Sequence, residues 1–139
     1  MILVDTNVIS EPLRKAPDRR VIAWLDAQAT ETLYLSAITV AELRFGVASL
    51  PAGRRRDALR DDLERRILPM FAGRVLPFDF LASQSYATLM AKARADGVAI
   101  GVADGYIAAT AHSNGMAVAT RDTAPFEAGD VPTIDPWKV

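Results

Sequence analysis

Hydrophobic positions along the chain switch period at intervals, and those switches mark its elements. Ile2-Leu3-Val4 is a short, unbroken apolar run, the pattern of a strand buried on both faces. Residues 19–29 place Val21, Ile22, Leu25 and Ala29 on one helical face. LYLSA at 33–37 predicts a second strand, and 39–50 predicts a helix ended by Pro51 and Gly53. Residues 52–68 predict a further long helix, with Leu59, Leu63 and Ile67 four apart. Its outer side carries Asp61–Arg65 and Asp62–Arg66 at i,i+4 spacing. Arg74–Pro77 predicts a short strand. Helices follow over 80–96, stopped by Asp96-Gly97, and over 101–115, stopped by Asn114-Gly115. MAVAT at 116–120 and VPTI at 131–134 read as the last strands. Such alternation predicts one α/β domain over residues 1–139, a sandwich of helices around a mainly parallel sheet. No G-x-G-x-x-G follows the first strand, so it is not a dinucleotide fold.

Composition narrows this picture. At 139 residues, 50% hydrophobic and 24% charged, the chain suits a single soluble domain with one substantial core. Its apolar stretches fall short of the ~20 residues that span a membrane. Asp5 interrupts what would be a signal-peptide core, so a cytoplasmic location is expected. The absence of cysteine excludes disulfides, thiolate zinc sites and thiol nucleophiles. A net charge of −1 argues against nucleic-acid binding by bulk charge. The charge is unevenly spread, with six arginines in residues 54–66, read here as an ion-paired solvated face. Residues 75–139 hold seven acids against Lys92, Arg94, Arg121 and Lys138.

Why does the first strand run straight into Asp5-Thr6-Asn7? Sites in parallel sheets form at the carboxyl ends of strands, where the strand order reverses. Asp5 follows the first strand, and Asp122 follows the MAVAT strand. Glu42 falls in the first turns of the helix after the second strand, and Asp104 in the first turn of the helix leading to MAVAT. Topology therefore sends four acids to one rim. Each alone has a local reading. Asp5 could cap a turn, Thr39-Val-Ala-Glu42 fits a capping box, Asp104 could favour a helix N-terminus, and Asp122 could be a loop residue. Together they would repel one another unless a cation sat among them. An all-oxygen donor set suits Mg2+ or Mn2+, and such a cation supports hydrolysis of phosphodiesters. No G-x-S-x-G elbow accompanies the single histidine, so His112 reads as structural, near a helix C-terminus. Trp24 and Trp137 read as packing residues.

MILVDTN at the start, SAITVAEL at 36–43, ADGYIAATA at 103–111 and VATRD at 118–122 together resemble the PIN-domain ribonucleases, and within them the VapC toxins. NVISEPLR at 7–14, ILPMFAGRVLPFD at 67–79 and the terminal PWK narrow the resemblance to a subgroup, and it covers essentially the whole chain. The resemblance implies a PIN-like three-layer sandwich and an Mg2+- or Mn2+-dependent endoribonuclease leaving 5′-phosphates and 3′-hydroxyls. Asp5, Glu42, Asp104 and Asp122 would be the metal-holding, catalytic acids. It further implies that Thr6 and Asn7 orient Asp5 and that Thr120 holds a metal-bound water. A homodimer and a cognate DNA-binding antitoxin are the implied partners, the antitoxin covering the acidic site. Val40, Leu43 and Val47 could line an interface, with core packing the simpler role. One departure stands out: many relatives read TRNxxDF, whereas this chain reads TRDTAPF, with Pro125 in place of the later acid. The rival functional reading is a non-catalytic corepressor that tightens its antitoxin's hold on DNA. A receiver or aspartate-nucleophile phosphatase fits poorly, because D-T-N stands where those proteins carry paired acids or D-x-D.

Overall fold

The computed structural model covers residues 1–139. Five strands form one sheet: β1 (Ile2–Val4), β2 (Leu33–Ser36), β3 (Val75–Leu76), β4 (Ala117–Ala119) and β5 (Thr133–Ile134). Their order is β3-β2-β1-β4-β5 and every pairing is parallel. The chain steps from β1 outward to β3, then returns to the other side of β1 with β4. The strand order thus reverses between β1 and β4, which is where a parallel sheet opens a crevice at its carboxyl edge.

Seven α-helices cover the two faces: α1 (Thr6–Ile9), α2 (Arg19–Ala27), α3 (Ala37–Ala48), α4 (Arg54–Asp61), α5 (Phe80–Ala95), α6 (Val102–Ser113) and α7 (Ala124–Ala128). Side chains alternate across the strands, as the two-residue period requires. Val4 and Ala119 point into a core shared with Val8, Val21 and Leu43 from α1, α2 and α3 and with Phe71 from the segment after α4. Leu3 and Val118 point into the opposite core, with Leu89, Ile107 and Phe126 from α5 to α7. The expected three-layer sandwich is the fold. Val40, Leu43 and Val47 are buried in the first core, which gives them the packing role.

Local chemistry sets the helix starts. Asp18, Ser36 and Asp79 accept backbone N–H groups at the beginnings of α2, α3 and α5. Because Ser36 caps α3, Thr39 lies inside the helix, and the capping-box reading of Thr39 to Glu42 is wrong. The long helix expected at 52–68 also departs from expectation. After α4 the backbone widens into a π-helical turn at Asp62–Ile67, then tightens into a 3-10 turn at Leu68–Phe71, where Pro69 has no N–H to continue the ladder. Three of its six arginines make the expected ion pairs, Arg60, Arg65 and Arg66 beside Asp57, Asp61 and Asp62, whereas Arg56 Nε is buried with no hydrogen-bond partner. His112 lies exposed near the end of α6, its Nδ1 3.1 Å from Ser85 Oγ.

Gly105 explains why α6 carries a helix-weakening residue. A Cβ there would meet Met90 Sδ at 2.9 Å and Tyr86 Cε2 at 3.0 Å on α5. Met90 can swing aside, but the Tyr86 ring is held between Phe78 and Tyr106. Overpacking costs roughly 1–3 kcal/mol, against a helix-propensity gain of up to about 1 kcal/mol. Gly105→Ala is therefore expected to lose about 1 kcal/mol net, measured by urea denaturation. A gain in stability would show that the α5–α6 contact is looser than described.

Candidate active site at the carboxyl edge of the sheet

β1 delivers Asp5 to the crevice between β1 and β4, its N–H bonded to Ala119 O at 2.9 Å. Only 4% of the residue is exposed. Both carboxylate oxygens are held. Oδ1 accepts Thr6 N–H at 2.8 Å, which makes Asp5 the cap of α1, so the local reading of this residue is part of its geometry. Oδ2 accepts the Thr120 hydroxyl at 2.7 Å and lies 3.4 Å from Asn7 Nδ2. Thr120 is fully buried and also accepts Asp122 N–H at 3.1 Å. With its proton on Asp5, Thr120 orients that carboxylate.

Thr6 joins two of the acids. Its N–H serves Asp5, while its hydroxyl donates to Glu42 Oε1 at 2.7 Å and lies 3.2 Å from the buried Thr39 hydroxyl. One residue thereby sets the relation between the end of β1 and the start of α3. Asn7 ties the other side, its Oδ1 accepting Arg121 N–H at 3.2 Å. Asp104 lies in the first turn of α6, half-buried, and Asp122 is exposed after β4. Pro125 belongs to the first turn of α7, so Asp122 is the acid that the TRDTAPF loop offers.

The charges of the acids reach one another in pairs across this edge. Burial pushes the Asp5 carboxyl up from 3.8 to about 6. Hydrogen bonds from Thr120 and Thr6 oppose this, and the charges of Asp104 and Glu42 add to it. Asp104 is also raised, first by burial and then by the charges of Asp122 and Glu42. None of the chain's ion pairs includes any of the four. Topology therefore brings Asp5, Glu42, Asp104 and Asp122 toward one edge of the sheet, and none of them has a basic partner.

That arrangement fits a hard divalent cation held by oxygen. No three acids close on a common point as a cage of side chains would. Mg2+ does not need such a cage, since it keeps several waters and takes one or two carboxylates. A separate hollow of about 470 Å3, between α2, Pro12-Leu13 and the π-helical turn, is lined by none of the four acids.

Sequence reasoning missed three features of the structure. The hydroxyl pair Thr6–Thr39 joins residues far apart in sequence and leaves no local pattern. Glu11 is buried at 3% exposure, bonded to Arg14 and to Asp18 N–H, and fixes the turn leading to α2. Arg121 Cζ lies 5.0 Å from the centre of the Trp137 ring. A buried glutamate beside proline, and an arginine beside an acid, give no signal of their own in a single sequence.

Comparison with known proteins agrees with this fold. The family model for the PIN domain matches residues 2–131. The chain is 63% identical over 138 residues to VapC ribonuclease Y4jK of Sinorhizobium fredii, covering 99% of each. It is 56% identical over 137 residues to Toxin FitB of Neisseria gonorrhoeae, again covering 99% of each. The structure of FitAB bound to an IR36 DNA fragment contains a chain that superposes with a TM-score of 0.97 at 55% identity, covering 100% of this chain and 97% of that one. The chain belongs to the PIN-domain family, among the VapC and FitB toxins.

Proposed function

We propose that this protein is a divalent-cation-dependent endoribonuclease that serves as the toxin of a toxin–antitoxin pair. The observation that carries the reading is the set of four carboxylates, brought from four segments to the strand-order reversal with no basic side chain neutralising them. When bound there, Mg2+ or Mn2+ would lower the pKa of a water and stabilise charge developing on the scissile phosphate. The chain's own residues do the positioning. Thr6 N–H and Thr120 hold Asp5, the Thr6 hydroxyl aims Glu42, and Asp104 and Asp122 bring further oxygens to the same rim. Cleavage by an attacking water would leave 5′-phosphate and 3′-hydroxyl ends. The name of the ribonuclease that this chain resembles supports the substrate class. The likeness to the DNA-bound FitAB complex supports a DNA-binding antitoxin as partner. A homodimer is part of the proposal, and exposed Phe45, Phe80, Leu81 and Val102 supply apolar surface for such assemblies. No helix is long and apolar enough to cross a membrane.

The test is incubation of purified, antitoxin-free protein with a mixed RNA pool in Mg2+ or Mn2+, against EDTA. Cleavage is expected only with the metal, and the new ends should carry 5′-phosphates. Failure of folded protein to cut any RNA would overturn the nuclease reading and leave a corepressor of its antitoxin.

A further inference from the structure

We infer that Arg121 is a phosphate grip, holding an RNA phosphate that flanks the scissile one. The inference rests on the proposed nuclease reading for its substrate, and on three observations for its geometry. Arg121 stands between Thr120 and Asp122, and Asn7 of the Asp5-Thr6-Asn7 segment anchors its N–H at 3.2 Å. Its backbone is thus tied to the same hydrogen-bonded unit that holds Asp5. Its side chain is exposed, and its guanidinium forms no ion pair and donates no hydrogen bond within the protein. Instead it lies on Trp137, with Cζ 5.0 Å from the ring centre, and Trp137 is itself buried at 6% exposure in the first core.

This arrangement separates two needs of the site. A guanidinium next in sequence to Asp122 could pair with that acid and weaken the cation site, and Arg121 makes no such pair. Stacking on Trp137 turns the charge onto a ring instead of onto an acid. It also restricts the side chain before any ligand arrives, so less freedom is lost when a phosphate binds. The planar fork of donors left over matches two phosphate oxygens. A polyanion approaching an acidic rim on a chain of net charge −1 meets repulsion, and Arg121 supplies local positive charge at that edge.

The experiment measures binding of a fluorescein-labelled, random-sequence single-stranded RNA, with Ca2+ replacing Mg2+ so that binding is read without cleavage. Wild type, Arg121→Gln and Arg121→Lys are compared over a range of salt, with melting temperatures recorded. Arg121→Gln is expected to bind about 10-fold more weakly, as for one lost charged hydrogen-bonding group. The slope of log affinity against log salt should fall by about 1, as one phosphate contact requires. Arg121→Lys should keep the slope while losing part of the affinity, and the melting temperatures should agree. Equal binding by wild type and Arg121→Gln would overturn the grip, as would failure of wild type to bind RNA. A structural role would lower the melting temperature and leave the salt slope unchanged, which also overturns it. If the expected binding differences appear but Mg2+ supports no cleavage, the grip stands and the nuclease reading falls.

Discussion

Asp5→Asn is expected to stabilise the metal-free protein by about 1–3 kcal/mol while abolishing RNA cleavage. The carboxyl of Asp5 is raised from 3.8 to about 6, chiefly by burial, so ionising it at neutral pH works against the fold. A shift of that size corresponds to about 3 kcal/mol. Asparagine keeps an oxygen for Thr6 N–H, but its amide would face Thr120, which already accepts Asp122 N–H. That loss places the lower end of the range. The pH dependence has a definite sign. The folded pKa lies above the unfolded one, so the folded state binds this proton more tightly. The stabilising contribution is full below about 4 and is lost as pH rises through about 6. Other carboxylates, such as Asp18 beside Arg20, act in the opposite direction, so the quantity to measure is the difference between wild type and Asp5→Asn. Urea denaturation in EDTA between pH 4 and 7 provides it. The mutant's advantage should grow over that interval. A mutant less stable than wild type at neutral pH would mean that Asp5 is structurally compensated and holds no charge in reserve for a cation.

Asp104→Asn is expected to reduce cleavage on the order of 10³-fold, since a cation's stabilisation of the reacting phosphate is worth several kcal/mol. Asp104 is half-buried in the first turn of α6 and feels the charges of both Asp122 and Glu42. Its removal should therefore loosen the cation from both sides of the rim. The fold should survive, because the Asp104 side chain makes no hydrogen bond within the protein and the helix N-cap is Gly101. A mutant that cleaves as fast as wild type would remove Asp104 from the site.

Much of this architecture could be read from the pattern of apolar residues, for a physical reason. Leu3 and Val4, like Val118 and Ala119, are fully buried on opposite faces, as a parallel sheet between two helical layers requires of its central strands. The acids were legible because strand ends and helix starts meet at one edge, so position along the chain translated into position in space. What could not be read depends on contacts between distant segments. Thr6 meets Glu42, and Thr120 meets Asp5, only after β1, β2 and β4 have paired. Thr39-Val-Ala-Glu42 has the capping-box pattern locally, but the end of β2 places Ser36 at the cap. The short α1 was hidden because its four residues are too few to show a helical period, although Asp5 caps it.

The most direct test of the central claim, that these acids form a cation site, is calorimetric titration of Mn2+ into the metal-free protein, beside Asp104→Asn. The account predicts saturable binding by wild type and a weaker or absent isotherm for the mutant, with proton release increasing below neutral pH as the raised carboxyls ionise. Indistinguishable isotherms, or no heat from the folded wild type, would contradict it.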